Sequence, residues 1–248
     1  MAGVGAAFDQ LATTYDEHWT TTPAGRLQRE AVWRKMAGLF RSHHHILDLG
    51  CGTGVDAAWM TTGGIRVTAC DASAAMVSVA RNRGLDARVL KIEELDRLHG
   101  RFNGALSNFG AFNCIEKPEK LCGVLASRLL PGAHLALCVM GKFCLWETLW
   151  FSVQGKYRKA ARRWRGAAPS ETLGLSITYH SVSRLRQALA PDFDLISVTG
   201  VGIAVPPSYV TRIPAAFFNL PGRLDRCIEN LPLASALADH RLLIFVRK

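Results

Sequence analysis

Residues 46–54 read Ile-Leu-Asp-Leu-Gly-Cys-Gly-Thr-Gly. The run from Ile46 to Leu49 is apolar except for Asp48, the pattern of a strand buried on both faces in a parallel sheet. It leads directly into Gly50-Cys51-Gly52-Thr53-Gly54, and a helix-compatible stretch from Val55 to Met60 follows. Strand, glycine turn and helix N-terminus in succession build a nucleotide-binding corner. Glycine lets such a turn close tightly and lie against a ligand with no Cβ in between.

A second strand, Arg66-Val67-Thr68-Ala69-Cys70-Asp71, ends in an acid 19 residues after Gly52. A carboxylate at that strand end is placed to accept hydrogen bonds from both hydroxyls of an adenosine ribose. The glycine spacing is G-x-G-x-G, not the G-x-G-x-x-G of dinucleotide binders, so no third glycine stands at the usual pyrophosphate position. The expected ligand is therefore adenosyl, without a pyrophosphate.

Residues 46–54 together with Asp71 resemble motifs I and II of class I S-adenosylmethionine-dependent methyltransferases of the small-molecule, UbiE-like type. The segment Phe8-Asp9-Gln10-Leu11-Ala12-Thr13-Thr14-Tyr15-Asp16 is similar to the N-terminal helix that many of these enzymes lay over the cofactor. Asp71-Ala72-Ser73-Ala74-Ala75-Met76 resembles the family's D-x-S-x-x-M, which walls the adenine. The similar segments span residues 8 to 141. The resemblance implies S-adenosylmethionine as cofactor and S-adenosylhomocysteine as product. It implies a cofactor site of Tyr15, Asp48, Gly50, Cys51, Gly52, Gly54, Asp71, Ala72 and Met76. After the third strand the family's acid-Ala-Glu-Glu-Leu reads Lys91-Ile92-Glu93-Glu94-Leu95, so Ile92 and Glu93 are expected to take over the adenine contact. After the fourth strand, the resemblance puts Asn108 on the methionine ammonium, with Phe109 and Phe112 flanking the methyl group and Asn113 orienting the acceptor. The N-P-P-Y motif of amino-methylating nucleic-acid enzymes is not present, since Gly110 follows Phe109.

Helix and strand patterns alternate along the chain. Helices are expected over 24–40, 55–62, 73–83, 116–130 and 181–189, and strands over 45–50, 65–71, 86–92, 102–108, 134–140, 193–202 and 240–247. This predicts a Rossmann-like α/β fold, a seven-stranded sheet in an α/β/α sandwich. The resemblance implies that the last strand runs antiparallel between strands five and six. The expected organisation is one domain over 1–248: cap helices 1–42, a core 43–141, a pocket or lid insertion 142–180 after strand five, and a C-terminal sheet part 181–248. That last part holds a second insertion, 203–239, between strands six and seven. Additions at the C-terminal edge of such a sheet form the mouth of the site. Trp146, Tyr179 and Tyr209 are therefore expected to line the substrate pocket with Phe112. His180 is expected as a proton acceptor.

The chain carries 30 Lys and Arg against 20 Asp and Glu, a net charge of +10 that suits an anionic partner or surface. Six of the cations fall in residues 156–165, where Tyr157, Ala160, Ala161 and Trp164 are spaced to share one helical face, and no acid occurs between Glu147 and Glu171. A basic helix with an aromatic face can lie on an anionic membrane, cap a pocket for a lipophilic anion, or form a solvated lid. The seven cysteines form no C-x-x-C pair, which argues for a reducing compartment and against a zinc site. The run His43-His44-His45 reads as a solvated turn. No signal peptide is seen and no apolar run approaches the ~20 residues of a membrane span, so a cytoplasmic protein is expected, with peripheral membrane contact through 156–165 as an option. The expected activity is methyl transfer to an oxygen or nitrogen of a small lipophilic or lipid-linked metabolite. An RNA methyltransferase and a non-methylating S-adenosylmethionine-binding protein are the alternatives, with nucleic acid disfavoured by the strand-four motif.

Overall fold

The computed structural model describes residues 3–170, 173–210 and 215–248. Seven strands form the central sheet: β1 (His45–Leu49), β2 (Arg66–Asp71), β3 (Asp86–Val89), β4 (Phe102–Ser107), β5 (Leu129–Met140), β8 (Phe193–Val201) and β9 (His240–Arg247). Their order is β3-β2-β1-β4-β5-β9-β8. The first five strands are parallel, and β9 is antiparallel to both β5 and β8. A separate antiparallel hairpin, β6 (Ala167–Ser170) with β7 (Leu175–Thr178), lies outside this sheet.

Alternation along each strand feeds two cores. Leu47, Leu49, Leu135 and Leu137 point to one layer, where they meet Leu125 of α5 (Cys122–Arg128) and Leu185 and Leu189 of α8 (Val182–Leu189). Ile46, Leu106, Ala136 and Cys138 point to the other. There they meet Val32 and Met36 of α2 (Pro23–Leu39), Met60 of α3 (Val55–Thr62), and Val77 of α4 (Ala74–Asn82). Three helix starts, those of α2, α4 and α8, carry side-chain caps. Thr22 accepts from the Gly25 amide at 3.0 Å, Ser73 from Met76 at 3.1 Å, and Ser181 from Arg184 at 3.1 Å. A short α1 (Val4–Asp9) and a π-helical turn, Asp16–Thr20, precede α2.

The sequence-predicted helix over 116–130 is shorter. A 3-10 turn, Pro118–Leu121, precedes α5, and β5 already begins at Leu129. Leu129 pairs with Phe102, and the Arg247 guanidinium donates to its carbonyl, so the strand runs through Pro131-Gly132 instead of starting after it. The region 142–180 departs more. It contains α6 (Leu145–Val153), a four-residue α7 (Tyr157–Ala160), a 3-10 turn Arg163–Arg165, and the β6–β7 hairpin. The single helix expected over 156–165 does not form, because Arg162 and Arg163 turn inward to the buried Glu147. Two more helices, α9 (Asn219–Ile228) and α10 (Pro232–Leu237), occupy the second insertion. Among the described residues, no helix is long and apolar enough to cross a membrane.

Candidate active site

The strand order reverses between β1 and β4, and a crevice at the carboxyl ends of those strands is where an open α/β sheet binds ligands. The glycine turn leaves β1 here. Its Gly50 and Cys51 amides donate to the Cys70 carbonyl at 2.8 and 2.9 Å, which ties the turn to the end of β2. Asp71 completes the tie: its Oδ2 accepts from the Gly52 amide at 2.9 Å and its Oδ1 from the Ser73 amide at 2.8 Å. Burial pushes the Asp71 carboxyl up, and these backbone donors pull against it.

The N-terminal segment closes over this turn. Asp9 accepts from the Ser73 hydroxyl at 2.6 Å and the Ala75 amide at 3.0 Å. Thr53 donates to Asp16 at 2.9 Å, and Arg83 pairs with the same carboxylate. Between them lies a cavity of about 480 Å³. On the β2–β3 side it is lined by Asp71, Ala72, Met76, Lys91, Ile92 and Glu93, with Val4, Phe8 and Tyr15 from the N-terminal segment. On the β5 side it is lined by Ala111, Cys114, Ile115 and Met140, and by Leu173 and Ile177 around the hairpin.

Between the two sides sits a charged floor. Arg29 of α2 pairs with Asp56 at 2.5 Å, and both side chains are more than nine-tenths buried. Asp56 also accepts from Trp33 Nε1 at 2.7 Å and Asn108 Nδ2 at 3.1 Å. The Arg29 guanidinium lies 4.7 Å from the Trp19 ring and 5.1 Å from the Phe109 ring, a double cation–π contact. Phe109 has φ +47, the single non-glycine residue with positive φ among the described residues; such strain collects at functional sites. Arg29, Asp56 and Trp19 went unread in the sequence. The available signal was Gln28 and Arg29 on the same helical face as Val32 and Met36, a polar pair where an amphipathic helix should be apolar.

Eleven of the sequence-predicted cofactor residues line the cavity: Tyr15, Gly50, Cys51, Gly52, Asp71, Ala72, Met76, Ile92, Glu93, Asn108 and Phe109. Burial pushes the Tyr15 hydroxyl up to about 12. Asp48 and Gly54 do not line it. Asp48 lies wholly buried beneath the turn, with Oδ2 unpartnered, and burial next to the Asp56 charge holds its carboxyl well above the usual carboxylate range. Gly54 is a packing glycine; a Cβ there would stand 2.5 Å from Leu85 and 2.9 Å from Ala80. Gly52 is the opposite case, with φ +53 and nothing within 4 Å of a Cβ, so its α-carbon faces open cavity that a ligand can fill.

The expected catalytic and substrate residues lie elsewhere. Asn113 is fully buried and its amide is spent on the backbone, donating to Met140 and Thr178 carbonyls at 3.0 and 2.7 Å and accepting from the Met140 amide at 2.9 Å. His180 Nε2 is bonded to the Ile115 carbonyl at 2.8 Å, and burial pushes its pKa down. Phe112 is core. Tyr179 packs behind the hairpin with Ala168 and Ile177. The Trp146 indole donates to the Ile203 carbonyl at 3.0 Å, and the Tyr209 hydroxyl donates to Glu147 at 2.7 Å. These two join the insertions to each other and leave the lining to Leu173 and Ile177.

A methyltransferase-domain family matches residues 18–196. The chain is 32% identical over 142 residues to a demethylmenaquinone methyltransferase of Clavibacter sepedonicus, a match covering 54% of this chain and 57% of that protein. It is 39% identical over 82 residues to a malonyl-(acyl-carrier protein) O-methyltransferase of Serratia marcescens, covering 32% of this chain and 29% of that one. The chain thus spans less than two thirds of either relative. A Thermotoga maritima S-adenosylmethionine-dependent methyltransferase structure, described as a possible histamine N-methyltransferase, has a TM-score of 0.65 at 15% identity, covering 99% of this chain and 100% of that one. With a glycine turn, a strand-end acid and a ligand-sized cavity at the switch point, the chain belongs to the methyltransferase-domain family.

Proposed function

We propose that the chain methylates an oxygen or nitrogen of a small lipophilic acceptor held at the β5 side of the cavity. The observation that carries this reading is the continuity of one cavity from the Asp71 carboxylate to an apolar wall of Ile115, Met140, Leu173 and Ile177. The sheet and both insertions act as one domain in this reading, with the first insertion supplying the rim.

The open space over Gly52 fits the cofactor. Asp71 would accept from the ribose hydroxyls, using lone pairs that the Gly52 and Ser73 amides leave free. Ala72, Met76 and Ile92 would pack on the adenine, with Glu93 at its amino group. Arg29 would hold the methionine carboxylate, and Asn108 would accept from the ammonium through its carbonyl. When bound, the cofactor would supply a methyl group open to in-line displacement by the acceptor oxygen or nitrogen. What the protein adds is alignment: an apolar wall that holds the acceptor in line and excludes water. His180 and Asn113 have no part in it.

The test is methyl transfer from labelled S-adenosylmethionine to a panel of hydroquinones, naphthols, acyl thioesters, amines and RNA. Transfer to apolar small molecules, lost in Ile177→Glu while calorimetric cofactor affinity is kept, is the expected result. Transfer to RNA alone overturns the acceptor reading. Cofactor binding without transfer to any acceptor favours a binding protein.

A further inference from the structure

Residues 153–159, Val-Gln-Gly-Lys-Tyr-Arg-Lys, are all exposed, at the corner where α6 ends and α7 begins. Gly155, with φ +69, makes the turn. The apolar side chains here are unusually bare: Val153 is 88% exposed and Tyr157 70%. Leu149, one helical turn before Val153, is 50% exposed, and Trp164, stacked 6.1 Å from Phe143, is 55% exposed. Four cations accompany them: Lys156, Arg158, Lys159 and Arg165. The nearest acid before them in sequence, Glu147, is buried and already neutralised by Arg162 and Arg163. Arg158 and Arg165 make no ion pair with the described residues. Aliphatic tips among exposed cations match a surface that is negative outside and hydrocarbon beneath, where long cationic side chains keep their heads at the headgroups. The rings of Tyr157 and Trp164 could also stack on bases, but Val153 and Leu149, the aliphatic side chains beside them, suit hydrocarbon and not a nucleic-acid groove.

We propose that this corner docks the protein on an anionic membrane surface. The inference rests on the reading of a lipophilic acceptor and gives it a source. The chain runs from the corner through the Arg163–Arg165 turn into β6, whose partner β7 carries Ile177 at the cavity wall. In this proposal the docked corner and the cavity wall belong to one insertion, and the acceptor would enter the apolar end of the cavity from the lipid.

Vesicle co-sedimentation of the full chain tests the proposal, using phosphatidylcholine with phosphatidylglycerol, phosphatidylcholine alone, and single-stranded RNA as competitor. The wild type should sediment with the anionic vesicles, less so as salt rises. Lys156→Gln with Arg158→Gln should weaken partitioning about 30-fold, taking each cation's share near the surface. Val153→Ser with Tyr157→Ser should also release the protein. Calorimetric S-adenosylmethionine affinity should be unchanged in both variants, which shows that they fold. Equal sedimentation of wild type and variants, binding as tight to neutral vesicles, no sedimentation at all, or displacement by RNA each overturns the docking proposal. Failure of the methyl-transfer panel with intact vesicle binding counts against the acceptor reading instead.

Discussion

Arg163 Nη2 stands 2.8 Å from Oε2 of Glu147, with the two side chains 3% and 1% exposed. The same nitrogen donates to Asp239 Oδ1 at 2.7 Å, and Nη1 donates to the Asp239 carbonyl at 2.9 Å. Asp239 directly precedes β9, Glu147 lies on α6, and Tyr209 of the second insertion donates to Glu147. One guanidinium thus fastens both insertions to the sheet. Glu147 also has Arg162 and Tyr209, and Asp239 has Gln28 and His240, but Arg163 is the buried cation that the two carboxylates share. Arg163→Met should cost about 3–5 kcal/mol, because it strands buried charge. Thermal denaturation should show a Tm lower by roughly 10 °C for a chain of this size. Adding Glu147→Leu should cost less than the sum of the two single changes. An additive result, or an unmoved Tm, would mean that the network does not carry the insertions.

The same network sets an acid limit. Burial raises the Glu147 and Asp239 carboxyls, but the facing charges outweigh it: Arg162 and Arg163 for Glu147, and His240 and Arg163 for Asp239. Both end below their ordinary values of 4.5 and 3.8. With the folded pKa values depressed, the unfolded chain binds more protons as pH falls. The stability they contribute is complete above the unfolded values and is lost as pH drops through the folded ones. Tm should therefore fall progressively below pH 4.5. In Arg163→Met that slope should be shallower; equal slopes would assign the acid limit to other groups.

The part of the fold that depends on local pattern was legible. The glycine turn, Asp71, Met76 and the alternating strands fall where their spacing puts them, because each is fixed within a few residues of its neighbours. The insertion was not. The spacing of Tyr157, Ala160, Ala161 and Trp164 satisfies a helix, yet two arginines on the opposite side of that wheel turn inward to a carboxylate 15 and 16 residues earlier. Periodicity carries no information on a buried ion pair of that kind. Arg29 was missed for a related reason: its partner Asp56 lies on another helix, and the rings that sandwich it come from two further segments. Asn113 and His180 lie outside the cavity lining. A polar side chain after strand four or before a helix looks catalytic in sequence, but here each satisfies backbone groups at the base of the insertion.

Gly52 separates cofactor fit from folding. A Cβ at this position meets no protein atom within 4 Å, although φ +53 strains any side chain there. Gly52→Val should fold with a modest loss of stability, about 1–2 kcal/mol for the left-handed backbone, and should bind no detectable S-adenosylmethionine. Circular dichroism with calorimetry decides the matter. Normal affinity in a folded Gly52→Val protein would put the cofactor elsewhere.

Asp71 has two tasks, holding the Gly52 amide and, in the proposed site, receiving the ribose. Asp71→Ala removes both and should weaken cofactor binding by about 2–4 kcal/mol, from two charge-assisted hydrogen bonds. Asp71→Asn keeps one acceptor oxygen and should fall between wild type and Ala. Unchanged affinity in the Ala variant on calorimetry would remove the ribose assignment.

Arg29 gives the sharpest test of cofactor orientation. Its guanidinium is fixed before any ligand arrives, by Asp56 and by the Trp19 and Phe109 rings, so little entropy is lost when it meets a carboxylate. A hydrogen bond to a charged group contributes about 1.5–3 kcal/mol, which is roughly 10- to 150-fold in affinity. Wild type should therefore prefer S-adenosylmethionine over its decarboxylated analogue by a ratio in that range. In Arg29→Leu, Asp56 keeps its Trp33 and Asn108 donors, and the preference should vanish even if both affinities drop. Because the readout is a ratio between two ligands on one protein, a general loss of stability cannot imitate it. A preference that survives in Arg29→Leu would place the methionine carboxylate against another group and leave Arg29 as a partner of Asp56 alone.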